Sequence, residues 1–274
     1  MQRISETNMK YTGASGRVSL YDLSIPENWN RQLIIFSHGY MGYKDWGAWN
    51  LMESYFVARG FGFLKYNISH NGGTAENGID FPDLQSFSEN SYSKELHDME
   101  RIIDLAQEKV KNIEEIILLG HSRGGGMVLL QSQHPSVSKI IALAPISDIG
   151  KRFPTGEALE KWKSEGVYHK MNGRTQQQMP HSYSQYEDYL HNQQRLNIEY
   201  YCKHTQVPIC VIHGEDDVSV RIEEGEAIAD WADTQLVRIP NEQHTFGAKQ
   251  PWTESELPSG LKQVCEHVLG FISA

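Results

Sequence analysis

Short apolar runs separated by amphipathic stretches organise this chain. Leu33 to Phe36, Phe61 to Tyr66, Ile116 to Leu119, Ile140 to Leu143, Ile209 to Ile212 and Leu236 to Ile239 are apolar or nearly so and of strand length, and Arg17 to Leu23 alternates as a strand does. Between them Trp49 to Arg59, Ser93 to Val110, Met127 to Gln133, Glu223 to Trp231 and Glu256 to Ile272 carry helical spacing, the first closed by Gly60. Strands without polar alternation are buried on both faces, so the pattern predicts a mainly parallel sheet covered by helices on both sides. In such sheets ligands bind at the carboxyl ends of the strands. The chemistry is therefore to be sought in the loops that follow them.

One of those loops stands out. Gly120-His121-Ser122-Arg123-Gly124 follows the run Ile116 to Leu119 directly and precedes a helix-compatible stretch. A serine on a sharp strand-to-helix turn has a strained backbone, and the positions two before and two after it cannot carry side chains that would collide across the turn. Gly120 and Gly124 meet that demand, so the box predicts a nucleophile elbow rather than a plain turn whose serine caps a helix.

A serine hydroxyl is a poor nucleophile alone. It needs a histidine base and a carboxylate that fixes the histidine tautomer. After Ile209 to Ile212 comes His213-Gly214-Glu215-Asp216-Asp217-Val218-Ser219-Val220, and after Leu236 to Ile239 comes Pro240-Asn241-Glu242-Gln243-His244. The order Ser122, acid, His244 is the one expected of an α/β-hydrolase. Asp148, after the preceding strand, is a second candidate acid. A cation site on Glu215, Asp216 and Asp217 is a further reading, although consecutive carboxylates on one short turn rarely converge on one ion.

With these motifs the chain resembles the serine α/β-hydrolases over nearly its full length. The resemblance implies an α/β fold with a mainly parallel eight-stranded sheet flanked by helices, a single domain over residues 1–274. Gly214-x-x-Asp217-x-x-Val220 is similar to the family's acid loop, which selects Asp217 over Asp216, and His244-Thr245-Phe246-Gly247 is similar to its base loop. His38-Gly39-Tyr40-Met41-Gly42 resembles its oxyanion loop, so the backbone N–H groups of Tyr40 and Arg123 are the implied donors to the developing charge. His38 itself reads as a buried, hydrogen-bonded structural residue. The stretches HGYMGYKDWGAWN, NISHNGGT and IDFPDLQSFSENSYSKELHD resemble bacterial hydrolases related to cinnamoyl and feruloyl esterases and to the acyl-peptidase-like branch. His70-Asn71-Gly72-Gly73 could line the site or simply turn away from the sheet. Dienelactone hydrolases share the fold but carry cysteine at the elbow, and Ser122 speaks against that branch.

One segment, 147–206, is too long for an ordinary strand connection. It carries Phe153, Trp162, Tyr168, Tyr183, Tyr186, Tyr189, Tyr200 and Tyr201 among polar groups such as Gln176-Gln177-Gln178. It reads as an insertion. It is either a helical subdomain packed on the sheet or a cap whose inner face shapes the pocket, with Tyr186 or Tyr189 as its first inward aromatics.

Composition narrows the partners. A net charge of −10 without a dense Lys/Arg run argues against nucleic acid or an anionic membrane surface as partner. No apolar run reaches the length of a membrane span, and MQRISETNMK lacks the pattern of a secretory signal, so a cytoplasmic protein is expected. Cys202, Cys210 and Cys265 are too scattered for a disulfide framework, and no metal-ligand spacing is present, so neither metal nor cofactor is expected. The sequence thus points to a cofactor-free carboxylesterase acting on a small-molecule ester through Ser122, His244 and Asp217. A thioester or small amide could be cleaved by the same triad. A non-catalytic binding protein on this fold is the rival, and its expected mark, a missing triad member, is absent.

Overall fold

The computed structural model describes residues 3–274, so the first two residues of the amino-terminal stretch read for a targeting signal lie outside it. In chain order the elements are β1 (Ile4–Thr12), β2 (Val18–Ile25), β3 (Gln32–Ser37), α1 (Trp49–Val57), β4 (Gly62–Tyr66), α2 (Leu84–Ser88), α3 (Tyr92–Lys109), β5 (Glu115–His121), α4 (Arg123–Leu129) and β6 (Val137–Leu143). Then come α5 (Glu157–Glu165), β7 (Val167–Met171), β8 (Gln178–Ser182), α6 (Ser184–Asn192), α7 (Ile198–His204), β9 (Ile209–Gly214), α8 (Ile222–Trp231), β10 (Leu236–Ile239) and α9 (Ser259–Ile272). Eight strands form one sheet in the order β1-β2-β4-β3-β5-β6-β9-β10. From β4 to β10 every neighbouring pair is parallel, while β1–β2 and β2–β4 are antiparallel.

The continuous apolar runs are buried on both faces, as their lack of alternation requires, except at the edge strand β10, where only Ile239 is buried and Arg238 is exposed. Ile34, Phe36, Ile117, Leu119 and Ile141 pack with α1 and α9, whereas Leu33, Ile35, Leu118, Ile140 and Ala142 pack with α3, α4 and α8. Helix α9 meets the sheet through Leu261, the adjacent pair Val264 and Cys265, Val268 and Ile272, which recur every three or four positions as one helical face demands. Parallel strands place all their carboxyl ends on one edge, so the loops after β3, β5, β9 and β10 converge there.

Three differences from the sequence reading have physical causes. Strand β1 was not expected, because it is an edge strand with mostly exposed residues, and a register shift between Glu6 and Met9, with Asn8 at positive φ, breaks any alternation. Helix α4 begins at Arg123 rather than near Met127, because Gly124, Gly125 and Gly126 are wound into it despite their poor helix propensity and are held by close packing. Helix α9 begins at Ser259 rather than Glu256, since Pro258 disfavours helical backbone at the residue before it.

Residues 147–206 leave the sheet after β6 and return at β9. Besides helices they contain an antiparallel hairpin, β7 with β8, whose turn starts at Asn172-Gly173. Trp162 of α5 is buried, donates from its indole nitrogen to the His181 carbonyl at 2.8 Å and meets the rings of Tyr168 and Tyr183 edge-on. That contact ties α5 to the hairpin. Helix α6 packs on α3 and β8 on α2, which sets the segment over the carboxyl edge of the sheet.

Candidate functional site

At the end of β5 the chain reverses within a single residue. Ser122 has φ 58° and ψ −117°, an uncommon conformation for a residue with a side chain, and α4 starts at the next position. The turn closes only because its flanks lack side chains: a Cβ on Gly120 would lie 2.2 Å from the Gly124 carbonyl oxygen, and one on Gly124 would lie 2.4 Å from the Ser37 carbonyl oxygen. Thus β5, the start of α4 and the end of β3 touch backbone to backbone at this point.

His244 reaches the elbow from the loop after β10. Its Nδ1 lies 2.7 Å from Asp217 Oδ2 and its Nε2 lies 2.9 Å from Ser122 Oγ. The carboxylate accepts the Nδ1 hydrogen, which leaves Nε2 free to accept the serine hydroxyl. Asp217 is buried in the loop after β9, and its Oδ1 accepts from the amides of Ser219 at 2.8 Å and Val220 at 3.0 Å. Burial alone would raise its pKa, but hydrogen bonds from His213, His244 and the Val220 amide outweigh it and hold the group well below the usual carboxylate range. Glu215 and Asp216 on the same turn point into solvent, so the three acids diverge rather than converge. Asp148 instead accepts from the Gly150 amide at 2.8 Å and stands apart from His244. Among the described residues no three histidine, cysteine, aspartate or glutamate side chains are grouped to hold a metal ion.

The loop after β3 rests directly on the elbow. A Cβ on Gly39 would lie 3.0 Å from Ser122 Cβ and 3.1 Å from the His121 carbonyl oxygen, so Tyr40 follows at the closest approach. Among the described residues neither the Tyr40 nor the Arg123 amide donates to a protein acceptor. For Arg123 this follows from its place as first residue of α4, whose leading N–H groups lack helical partners. His38 is buried, its Nε2 accepts from the Ile68 amide at 3.2 Å and its Nδ1 donates to the Gly39 carbonyl at 2.9 Å. Both nitrogens are committed, and burial pushes its pKa down to about 4. It braces the loop.

Two further histidines contact these residues and were not singled out from the sequence. His121 donates from Nε2 to the His244 carbonyl at 2.8 Å, with the two rings 4.8 Å apart. His213 points its Nε2 at the Val220 carbonyl, 2.8 Å away, and at Asp217 Oδ2, 3.2 Å away. Their signal lay in the motifs themselves, since His121 sits inside the elbow and His213 opens the acid loop.

Ser122 and His244 border two cavities. One, of about 350 Å³, is walled by Tyr40, Tyr92, Arg123, Tyr168, Lys170 and His181 among others, and the other, of about 260 Å³, by Met41, Trp46, Trp49, Asn172, Arg174 and Thr245. A carbonyl group above Ser122 would therefore have room for a substituent on either side. From segment 147–206 the groups facing the larger cavity include Phe153, Tyr168, Lys170, His181 and Gln185. Tyr186 and Tyr189, expected to point inward, instead pack on Phe153 with ring centroids 5.2 Å away. Asn71 donates to the Gly42 carbonyl at 3.2 Å and His70 pairs with the Ser69 hydroxyl, so that loop supports the site from behind.

A mainly parallel sheet, a strained serine at the end of its β5 strand and a histidine and aspartate delivered from later loops define an α/β-hydrolase fold, and structural likeness agrees. The chain matches Est1E from Butyrivibrio proteoclasticus, determined with ferulic acid bound, with a TM-score of 0.73 at 20% identity over 96% of this chain and 97% of that one. It matches the Pyrococcus furiosus esterase Pf2001 with a TM-score of 0.64 at 13% identity over 99% of this chain and 90% of that one. It matches the Pyrococcus horikoshii acylaminoacyl peptidase with a TM-score of 0.65 at 14% identity over all of this chain and 42% of that one. No protein of curated function matches the sequence significantly. Residues 49–257 fit the model of the prolyl oligopeptidase family, and the chain belongs to that family. By that membership it is a hydrolase. Among the described residues no helix is long and apolar enough to cross a membrane.

Proposed function

We propose that the protein hydrolyses carboxylic esters by acyl transfer to Ser122. The observation that carries this reading is the unbroken hydrogen-bond line from Ser122 Oγ to His244 Nε2, 2.9 Å, and from His244 Nδ1 to Asp217 Oδ2, 2.7 Å. His244 takes the serine proton as Oγ attacks the ester carbonyl. The oxyanion so formed is met by the Tyr40 and Arg123 amides, which cost no reorganisation because they are fixed by the Gly39 contact and the start of α4. His244 then returns the proton to the departing alcohol, and water enters by the reverse sequence to release the acid. Segment 147–206 serves as a cap on a single α/β-hydrolase domain, since its hairpin closes the larger cavity.

Family membership supports a second reading, cleavage of a small amide or peptide bond, and a thioester suits the same chemistry. Matched 4-nitrophenyl ester, thioester and 4-nitroanilide substrates with one acyl group separate these. The triad itself is tested with a fluorophosphonate, which should label the protein once, at Ser122. Labelling that persists in Ser122→Ala would exclude this serine as the nucleophile.

A further inference from the structure

The larger cavity beside Ser122 has an electrostatic character opposite to that of the molecule. The chain carries a net charge of −10, yet this cavity is lined by Arg123, Arg152 and Lys170 and by no carboxylate. Two of the cations are balanced from outside the cavity: Arg123 Nη1 donates to Glu95 Oε1 at 3.0 Å, and Arg152 pairs with Glu224. Lys170, exposed on β7 at the rim of the cavity, forms no ion pair with a carboxylate among the described residues, and its ammonium sits 5.3 Å from the centre of the Tyr40 ring.

His181 does not add to the positive charge, because burial and then the neighbouring Arg123 push its pKa down to about 4 and its Nε2 accepts from the Tyr40 hydroxyl at 2.7 Å. The rings of Tyr168 and Phe153 also line the cavity. Aromatic lining with a cation at the rim suits an aromatic stem ending in an anion.

We infer that the preferred esters carry an anionic group, a carboxylate or a comparable oxyanion, on the arm that enters this cavity, with Lys170 meeting the charge. The inference rests on the esterase reading for the identity of the cleaved bond, although binding alone can test it. The anion can belong to the acyl or to the alcohol arm, and two pairs of esters distinguish them. One pair is 4-nitrophenyl 4-carboxybenzoate against its 4-carbamoyl analogue, and the other is 4-carboxyphenyl acetate against 4-carbamoylphenyl acetate.

In one pair kcat/KM for the charged ester should exceed that for the neutral one by roughly five- to tenfold at low salt, a preference that shrinks as salt screens Lys170. Lys170→Gln should bring the ratio close to one, whereas Lys111→Gln, a change at an exposed lysine elsewhere, should leave it alone. The same ratio is read without turnover from the dissociation constants of the uncleaved esters on Ser122→Ala. A charged ester bound through Lys170 by a protein that cleaves none sustains this inference and removes the esterase reading. Brisk turnover with no charge preference in either pair, or a preference that survives Lys170→Gln, overturns the inference and leaves the esterase reading standing.

Discussion

His213 and His244 share one oxygen: their ring nitrogens lie 3.2 Å and 2.7 Å from the same atom, Asp217 Oδ2. The carboxylate is therefore clamped between two imidazoles, with the Ser219 and Val220 amides on its other oxygen. His213 touches no reacting atom. It acts by fixing Asp217, which fixes His244. His213→Leu should lower kcat by roughly tenfold, far less than loss of the carboxylate itself, with KM little changed. Gly225→Ala provides an independent check, since its Cβ would lie 2.6 Å from His213 Nδ1 and push the ring toward the acid. Equal kcat in wild type and both variants would reduce His213 to core packing.

The acid assignment has its own ranking. Asp217→Asn keeps the shape but favours the wrong His244 tautomer, so turnover should fall on the order of 10⁴-fold, while Asp216→Asn and Asp148→Asn stay near wild type. Because its hydrogen bonds hold Asp217 below the usual carboxylate range, it stays ionised across mildly acidic pH. An acid limb in kcat/KM therefore reports the base. That limb should vanish in the residual activity of His244→Ala. A steep limb surviving that change would assign the base elsewhere.

Six of the eight sheet strands are parallel neighbours that read directly as short apolar runs, and the candidate chemistry stands in the loops that follow them. Ser122, Asp217 and His244 were legible for that reason, because each follows such a run. The hairpin of β7 and β8 was not. Its strands lie over a polar cavity and half in solvent, so they lack apolar alternation, and only the Asn172-Gly173 turn marks them. The inward side of segment 147–206 was misread through Tyr186 and Tyr189 because aromatic content does not reveal orientation. Tyr168 and His181, stacked on each other at 4.6 Å, face the cavity instead. His213 and His121 carry no separate mark in the sequence, because a buried histidine is usually only a satisfied core residue and their geometry toward Asp217 and His244 is a tertiary fact.

Gly124 carries a sharper demand than helix propensity. A Cβ there would lie 2.4 Å and 2.6 Å from the carbonyl oxygens of Ser37 and His38, both backbone atoms at the root of the proposed oxyanion loop. Gly124→Ala has to separate that loop from the elbow, which moves the Tyr40 amide relative to Ser122. The expected result is a loss of kcat on the order of a hundredfold, as when one oxyanion donor is lost, together with a destabilisation of about 1–3 kcal/mol. Steady-state kinetics and urea unfolding of the variant measure both, and wild-type kcat in a folded Gly124→Ala protein would contradict the placement of the Tyr40 amide.

A buried charge network underlies the same loop. Lys44 and Lys65, 1% and 2% exposed, are held among Asp22, Asp45 and Glu53, with Lys44 Nζ 2.7 Å from Asp22 Oδ2 and Lys65 Nζ 2.6 Å from Asp45 Oδ1 and 3.0 Å from Glu53 Oε2. Burial opposes the charge on Lys65, but Glu53 and Asp45 outweigh it and raise its pKa. Lys65→Met leaves acids without their cation, and removal of one partner from a buried network costs about 3–5 kcal/mol. For a chain of this size the melting temperature should fall by roughly 10 °C. A shift of a degree or two in calorimetry would mean that the acids are solvated or take up protons without penalty.

Stability should fall steeply in mild acid. His38, His70 and His181 are pushed down to about 4 and His121 to about 3, in each case chiefly by burial, from an ordinary value of 6.5. Between pH 6.5 and 4 the unfolded chain binds protons at these four histidines that the folded protein does not, so stability is lost as pH falls through that window. Asp98 works the other way. Burial raises it from 3.8 to about 6, so the folded state gains a proton there over most of the same range and cancels one of the four. Four less one leaves a net uptake of about three protons on unfolding near pH 5. Urea unfolding at half-unit pH steps measures this as the slope of unfolding free energy against pH. Asp98→Asn should lower the absolute stability yet steepen that slope toward four protons, and His70→Asn should make it shallower by one. A stability flat between pH 6.5 and 5, or a slope unmoved by both substitutions, would show that these histidines take up protons without leaving their buried sites.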